Sequence, residues 1–221
     1  MVAFVPMRHT SERVPGKNYR LFAGKPLFHH IIANLLKCSE ISKVVIDTDS
    51  PTIKQDVEKS FPSVDVIERP EALRGGMVPM NDILLHDIQQ YPADFYLQTH
   101  STNPLLRSAT ISCAIQKLHD HYQEYDSLFS VTRLQTRLWD EHGRPINHDP
   151  AILLRTQDLQ PVFEENSCMY IFTGKTLETR HNRIGERPMM FEIDPEEAWD
   201  IDEESDFRVA EILYNLHGAR Q

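Results

Sequence analysis

The densest chemistry in the chain lies near its start. There MRHTSERVPGKNYRLFAGKP (7–26) gathers Arg8, Arg13, Lys17 and Arg20 with Thr10, Ser11 and Gly16 between them. Guanidinium forks, a point charge and small donors in one loop are what a polyphosphate requires. The spacing is neither that of a GxxxxGK[ST] phosphate loop nor that of a GxGxxG dinucleotide loop. By residue type alone, a solvated basic turn fits equally well. A second cluster, DIDEE, places Asp200 and Asp202 one residue apart, so that they share a face on extended backbone. Hard carboxylate oxygens beside phosphate suit magnesium, although acidic residues also favour the first turn of a helix. A third set, Asp47-Thr48-Asp49, has the form of a DxD metal motif, or of a strand-end turn with Asp49 capping the next helix.

The histidines offer less. His29 and His30 are adjacent on a helical stretch, about 100° apart around the axis, and so cannot chelate one ion together. His119 and His121 read as surface residues, no HExxH occurs, and no serine or cysteine sits in a nucleophile elbow.

These groups need a scaffold. Apolar runs at 2–7, 43–47, 64–68, 94–99 and 126–132 read as strands, and 26–38, 50–61, 79–91 and 108–122 carry helical periodicity. Pro26 and Pro51 suit a first helical turn, and Ser50 suits an N-cap. The alternation predicts an α/β fold, a mostly parallel sheet with helices on both faces, whose ligands bind beyond the carboxyl ends of the strands. The working loops are then 7–18, 47–50, 69–82, 98–107 and 199–203. The rhythm breaks over 134–166, a polar, proline-containing stretch read as an insertion that extends the site or forms a subunit contact. Strands at 167–173 and 189–194 follow, then a closing helix near 203–217 with Gly218 as its stop.

Composition bounds the reading. A chain of 221 residues, 40% hydrophobic, can bury one good core, which implies a single domain over 1–221. The formal charge of −10 argues against a nucleic acid polymer as partner. No apolar run is long enough to span a membrane, and MVAFVPM is too short for a signal-peptide core. Three scattered cysteines, Cys38, Cys113 and Cys168, make neither a disulfide framework nor a thiolate zinc site, so a cytoplasmic location is expected.

MRHTSERVPGKN (7–18) resembles the signature loop of cytidylyltransferases that activate 2-keto-3-deoxy sugar acids, the acylneuraminate and Kdo enzymes. Arg8, Ser11, Pro15, Lys17 and Asn18 match ARGGSKGIPLKN position by position, and GKP (24–26) follows. DTDSPTI (47–53), NDILLHDI (81–88), DSLFSVTR (126–133), RTQD (155–158), FEENSCMYIF (163–172) and WDIDEESDFRVAE (199–211) resemble further family segments, in order. The resemblance implies a Rossmann-like nucleotide-diphospho-sugar transferase fold with a small dimerisation insertion, and CMP transfer from CTP to an acidic sugar with release of pyrophosphate. Carried over by residue, it implies Arg8, Lys17 and Asp202 as catalytic. Arg8, Ser11, Arg13, Lys17, Asn18, Arg69 and Asp82 would hold the nucleotide. Gln98, Arg155, Gln157, Asn166 and Tyr170 would face the sugar acid, and Asp200 and Asp202 would bind Mg2+. It also implies a homodimer joined through 134–166.

Three departures stand out. Glu12 replaces the lysine of the sialic-acid-type loop, with Arg13 following as in the S-x-R of the Kdo type. QTHSTNPLL (98–106) carries two more residues before its first leucine than QPTSPL, and Asn166-Ser167 stands where YENG has Asn-Gly. Two other functions are compatible with the residues: a glycosyltransferase using Asp47 and Asp49 as its DxD motif, and a non-catalytic nucleotide-sugar-binding regulator.

Overall fold

Val2-Ala3-Phe4, apolar on both faces, suits a strand covered from both sides, and it lies in the interior of the sheet with a parallel neighbour on each side. A computed structural model describes residues 1–218. The seven-stranded sheet has the order β5-β4-β1-β6-β8-β7-β9. Its strands are β1 (Val2–Phe4), β4 (Lys43–Thr48), β5 (Asp65–Glu68), β6 (Tyr96–Thr99), β7 (Ser127–Leu134), β8 (Val162–Phe172) and β9 (Pro188–Glu192). The pairings β5–β4, β4–β1, β1–β6 and β7–β9 are parallel, and β8 alone runs against its neighbours β6 and β7. A two-stranded hairpin, β2 (Leu21–Phe22) and β3 (Lys25–Pro26), lies outside the sheet.

Alternation along the strands sends side chains to two different cores. Ala3, Val44, Ile46 and Leu97 pack against α1 (Leu27–Leu35), α2 (Pro51–Ser60) and α4 (Ser108–Asp120). Val2, Phe4, Val45 and Tyr96 pack against α3 (Met80–Gln90) and α5 (Gly174–Arg180). The expected helices on both faces are therefore present. In α4, Ile111, Ala114, Ile115 and Leu118 are buried at helical spacing, each large side chain contributing about 1.5–3 kcal/mol. A third apolar cluster joins Val14, Phe22 and Leu27 to Ile201, Phe207 and Ala210 of the closing segment and α6 (Glu204–Gly218). It brings the chain's end onto its first loop.

Some boundaries differ from the sequence reading. Helix α2 is capped by Ser50, as its sequence suggested, the hydroxyl accepting from Ile53 N at 3.2 Å; the alternative cap, Asp49, is not used. Asp49 instead accepts from His9 N. The insertion expected over 134–166 is shorter, because Leu134 pairs with Val162 and extends the β7–β8 ribbon. The arm is then 135–161, closed by Asn147, which donates to the carbonyls of Thr136 and Gln160. Helix α5, seven residues long, carried no clear periodic signal and was not anticipated. His30 is buried against the Phe22 carbonyl and His29 pairs with Asp56, so both are structural.

Candidate active site

The first loop leaves the sheet at the carboxyl end of β1 and is pinned on both sides. Met7 N donates to Asp47 O, and His9 donates its N–H to Asp49 at 2.7 Å while its ring stacks on Tyr19. Asn18 donates to Arg8 O at 2.7 Å, closing the loop on itself, and accepts from Ser101 at 2.6 Å, which ties the loop to the segment after β6. Asn18 also lines the cleft, where the resemblance placed it. Gly16 sits at φ +65, where an added Cβ would stand 2.9 Å from the Tyr19 ring, so only glycine makes the turn that delivers Lys17.

Lys17 Nζ donates to Ile201 O at 2.5 Å and lies 3.8 Å from Asp202. Burial lowers its pKa, and Asp200 and Asp202 oppose that shift. Arg13 reaches Asp202 at 2.7 Å and Glu203 at 3.4 Å. The cationic loop and the late aspartates thus meet, Arg13 and Asp202 being 189 residues apart. Arg20, the fourth cation of the loop, is bound through both amino groups to Glu204 and stacks over Phe207; it clamps α6 and does not line the cleft. Arg8 is exposed, and no acidic partner of it is found among the described residues. Asp200 is half-buried, with one carboxylate oxygen lacking any hydrogen-bond partner, and burial raises its pKa.

Arg8, Arg13, Lys17, Asp200 and Asp202 line a cleft of about 890 Å³ that also includes Thr10, Ser11, Glu12, Arg69, His100 and Ser167. Glu12 is exposed at its rim. A shallower depression of about 640 Å³ lies at the opposite, amino-terminal end of β6, around Tyr96 and Gly174, away from the loop cations.

Arg69 forms part of the cleft wall, yet it is 1% exposed. Its guanidinium donates to the Asp47 carboxylate and to Asp47 O. Asp47 and Asp87 are both fully buried, and the ligand atoms of Asp47, His86 and Asp87 lie within 4.8 Å of one another. Arg69 already supplies the cation there. Burial, then the neighbouring Asp47, pushes the Asp87 pKa up to about 9, so the two carboxyls hold a proton at neutral pH. Asp47 is therefore spent inside the protein, and with Asp49 on the first loop the DxD reading fails.

A cytidylyltransferase family model matches residues 2–217. The chain belongs to the cytidylyltransferase family. Within that family it is 27% identical, over 95% of its length, to N-acylneuraminate cytidylyltransferase A of Danio rerio, covering 49% of that protein. It spans about half the length of the acylneuraminate relatives from fish. It is 28% identical to the CMP-N,N'-diacetyllegionaminic acid synthase of Legionella pneumophila, covering 98% of this chain and 97% of that one. The fold matches that of a CMP:2-keto-3-deoxy-manno-octonic acid synthetase complexed with CTP, at TM-score 0.71, 16% identity and 98% coverage of both chains. It also matches a 4-diphosphocytidyl-2C-methyl-D-erythritol synthase from Anaerococcus prevotii, at TM-score 0.69, 10% identity and coverage of 97% and 96%.

Of the residues that family membership led one to expect in the cleft, Arg8, Ser11, Arg13, Lys17, Asn18, Arg69, Asp200 and Asp202 are there. Asp82 is not; its carboxylate sits 2.5 Å from His181 Nε2, because the first turn of α3 presents Met80 and Ile83 to the cleft instead. Arg155 and Gln157 stand on the arm, with Arg155 paired to Asp158, and line nothing in this chain's own cleft. Asn166 is also structural. Its carbonyl accepts from Ser130 and Cys168 N, and its amide donates to Thr132, holding a bulge in which Ser167 adopts φ 59. Gln98 and Tyr170 are fully buried beneath the cleft. Tyr170 donates to Glu165 and carries the Arg183 guanidinium 3.6 Å above its ring, while Arg183 donates to Gln98 at 2.6 Å. Arg183 lies in an aperiodic loop that gave no sequence signal. His100 was detectable only as part of the segment where the chain departs from QPTSPL.

Proposed function

We propose that the protein transfers CMP from CTP to the anomeric hydroxyl of a 2-keto-3-deoxy sugar acid and releases pyrophosphate. The observation that carries this reading is the meeting of Arg8, Arg13 and Lys17 with Asp200 and Asp202 in one cleft at the carboxyl ends of β1 and β6. The sialic-acid, legionaminic-acid and Kdo names of its relatives support the substrate class.

In this reading Arg8 and Lys17 hold the triphosphate. Lys17 is aimed by the Ile201 carbonyl, and its partial burial strengthens its pull on a phosphate oxygen. Asp200 and Asp202 would hold Mg2+: both are hard oxygen donors, and the unpartnered, buried oxygen of Asp200 is a group that a cation would satisfy. Magnesium there supplies neutralisation of triphosphate charge. The sugar hydroxyl attacks the α-phosphorus in line, and the cations that bound the β- and γ-phosphates stabilise the departing pyrophosphate. Positioning and charge neutralisation suffice, in keeping with a cleft that presents no activated serine or cysteine.

The arm supports a homodimer. Leu153 is 90% exposed, and Ile146, Ile152 and Trp139 are each at least half exposed, a patch that a second copy would cover. Arg155 and Gln157, which lie outside their own chain's cleft, would then serve a partner's cleft. Among the described residues no helix is long and apolar enough to cross a membrane. Three free cysteines fit a reducing, cytoplasmic setting. The test is pyrophosphate release from CTP with a panel of sialic, legionaminic, pseudaminic and Kdo-type acids, using ATP, GTP and UTP as controls. Absence of release with every acid would refute the assignment.

A further inference from the structure

The Gln98 amide is oriented by a neighbour that cannot accept a hydrogen bond. Arg183 donates to Gln98 Oε1 at 2.6 Å, and a guanidinium has no acceptor, so that end of the amide must be the oxygen. The other end is then the NH2 group. It donates to Thr99 O at 3.0 Å and faces His100 Nε2 at 3.1 Å. A donor pointing at Nε2 requires Nε2 to be the acceptor, which leaves the ring proton on Nδ1. Arg183 itself is fixed by stacking over Tyr170, whose hydroxyl is engaged by Glu165 and Ser167.

His100 lines the cleft beside Ser101, Thr102 and Ser167, and no partner of its Nδ1 is found among the described residues. We propose that His100 is a neutral hydrogen-bond donor through Nδ1–H to the carboxylate of the sugar-acid substrate, with Arg183 and Gln98 as positioning residues that set its tautomer. The claim rests on the cytidylyl-transfer reading above.

Burial, then the charges of Arg183 and Lys17, pushes the His100 pKa down to about 4, so the ring is uncharged at neutral pH. Uncharged, it keeps a defined donor and a defined acceptor. The positive potential of the same two cations favours an anionic oxygen in front of the ring. Arg8, Arg13 and Lys17 serve the phosphates from the first loop, whereas His100 stands with three hydroxyl side chains on the β6 and β8 side. That division is the reason for assigning it to the acid and not to CTP.

Two measurements test the proposal. Nitrogen-15 NMR of the histidine rings in wild-type protein should show His100 protonated on Nδ1 alone. Arg183→Met should mix the tautomers, and Arg183→Lys should largely restore the wild-type pattern. An Nε2–H tautomer in wild type would overturn the proposal whether or not any sugar acid proves to be a substrate. With an active acid in hand, His100→Phe should raise KM for that acid roughly tenfold or more, with KM for CTP within about twofold of wild type. His100→Asn places an amide N–H near the Nδ1 position and should recover much of the loss; His100→Gln, which mimics Nε2, should not. Equal rises in KM for CTP and acid, or equal behaviour of the Asn and Gln variants, would overturn the proposal. If wild type releases no pyrophosphate with any acid, the functional reading fails instead.

Discussion

Arg13 and Asp202, 189 residues apart in the chain, form a 2.7 Å ion pair at the mouth of the cleft. Both side chains are about half exposed, so the pair adds little to stability and opens readily when a stronger partner arrives. Triphosphate is such a partner for Arg13. Arg13→Ala should leave the melting temperature nearly unchanged yet lower kcat/KM for CTP about ten- to a hundredfold, the loss of one charge-assisted contact. Glu12→Ala, at the exposed rim, should change it little or raise it slightly. Steady-state kinetics against CTP on both variants decide the matter; the reverse pattern would give Glu12 the direct role.

Asp200 and Asp202 should separate by what metal does to stability. Magnesium with CTP should raise the wild-type melting temperature, since a ligand that binds only the folded state stabilises it by mass action. Asp202→Asn should abolish most of that increment and most turnover while keeping the fold. Asp200→Asn should do the same, and in metal-free buffer at pH 8 should melt higher than wild type. The amide removes a carboxylate whose pKa burial has raised, and with it the cost of burying that charge. Scanning calorimetry with and without magnesium and CTP checks both.

The buried Asp47–Asp87 pair makes stability fall with rising pH. Asp87 titrates near 4 when unfolded and at about 9 when folded. The folded state therefore keeps a proton that the unfolded chain loses, and the stability from this group, full below pH 4, declines until about pH 9. Asp87→Asn presents a neutral N–H donor to Asp47 at all pH values. It should flatten that decline, melting higher than wild type by about 2–4 °C or more at pH 8, with the difference vanishing toward pH 4. Thermal melts across pH 4–9 provide the measurement, and a constant difference would show that the pair does not share a proton.

The arm makes a prediction about assembly. Light scattering at micromolar concentration should give roughly twice the chain mass of 25.7 kDa. Leu153→Asp should shift the protein toward monomer and reduce turnover, because Arg155 and Gln157 would lose the cleft they serve. A wild-type monomer would remove the arm from the functional reading.

Much of this protein was readable in order along the chain. Val2-Ala3-Phe4, Val44-Val45-Ile46 and the spacing of Ile111, Ala114, Ile115 and Leu118 encode strand or helix through their own neighbours, which is why the layers were predictable. The cationic loop after β1 and the Asp200–Asp202 pair were legible because their residue types are chemically unusual at that density. The β7–β8 boundary was not, since Leu134 and Val162 become strand by pairing with each other across an arm that lacks local periodicity.

Side-chain destinations belong to tertiary structure. Asp47 and Asp49 look alike in DTDS, yet one enters the interior beneath Arg69 and the other binds the first loop, because Asp47 is still within β4 whereas Asp49 lies past its end at Thr48. Asp82 and Ile83 are adjacent on α3, and only the helix's rotation against the sheet decides that Ile83 faces the cleft and Asp82 meets His181. Gln98 was expected to touch substrate; Arg183, 85 residues away, turns its amide downward and leaves His100 at the surface of the cleft. Hydrogen bonds across such separations depend on how close the packed elements bring two side chains. Local sequence carries no record of that distance, whereas it does carry the hydrophobic pattern that builds the elements themselves.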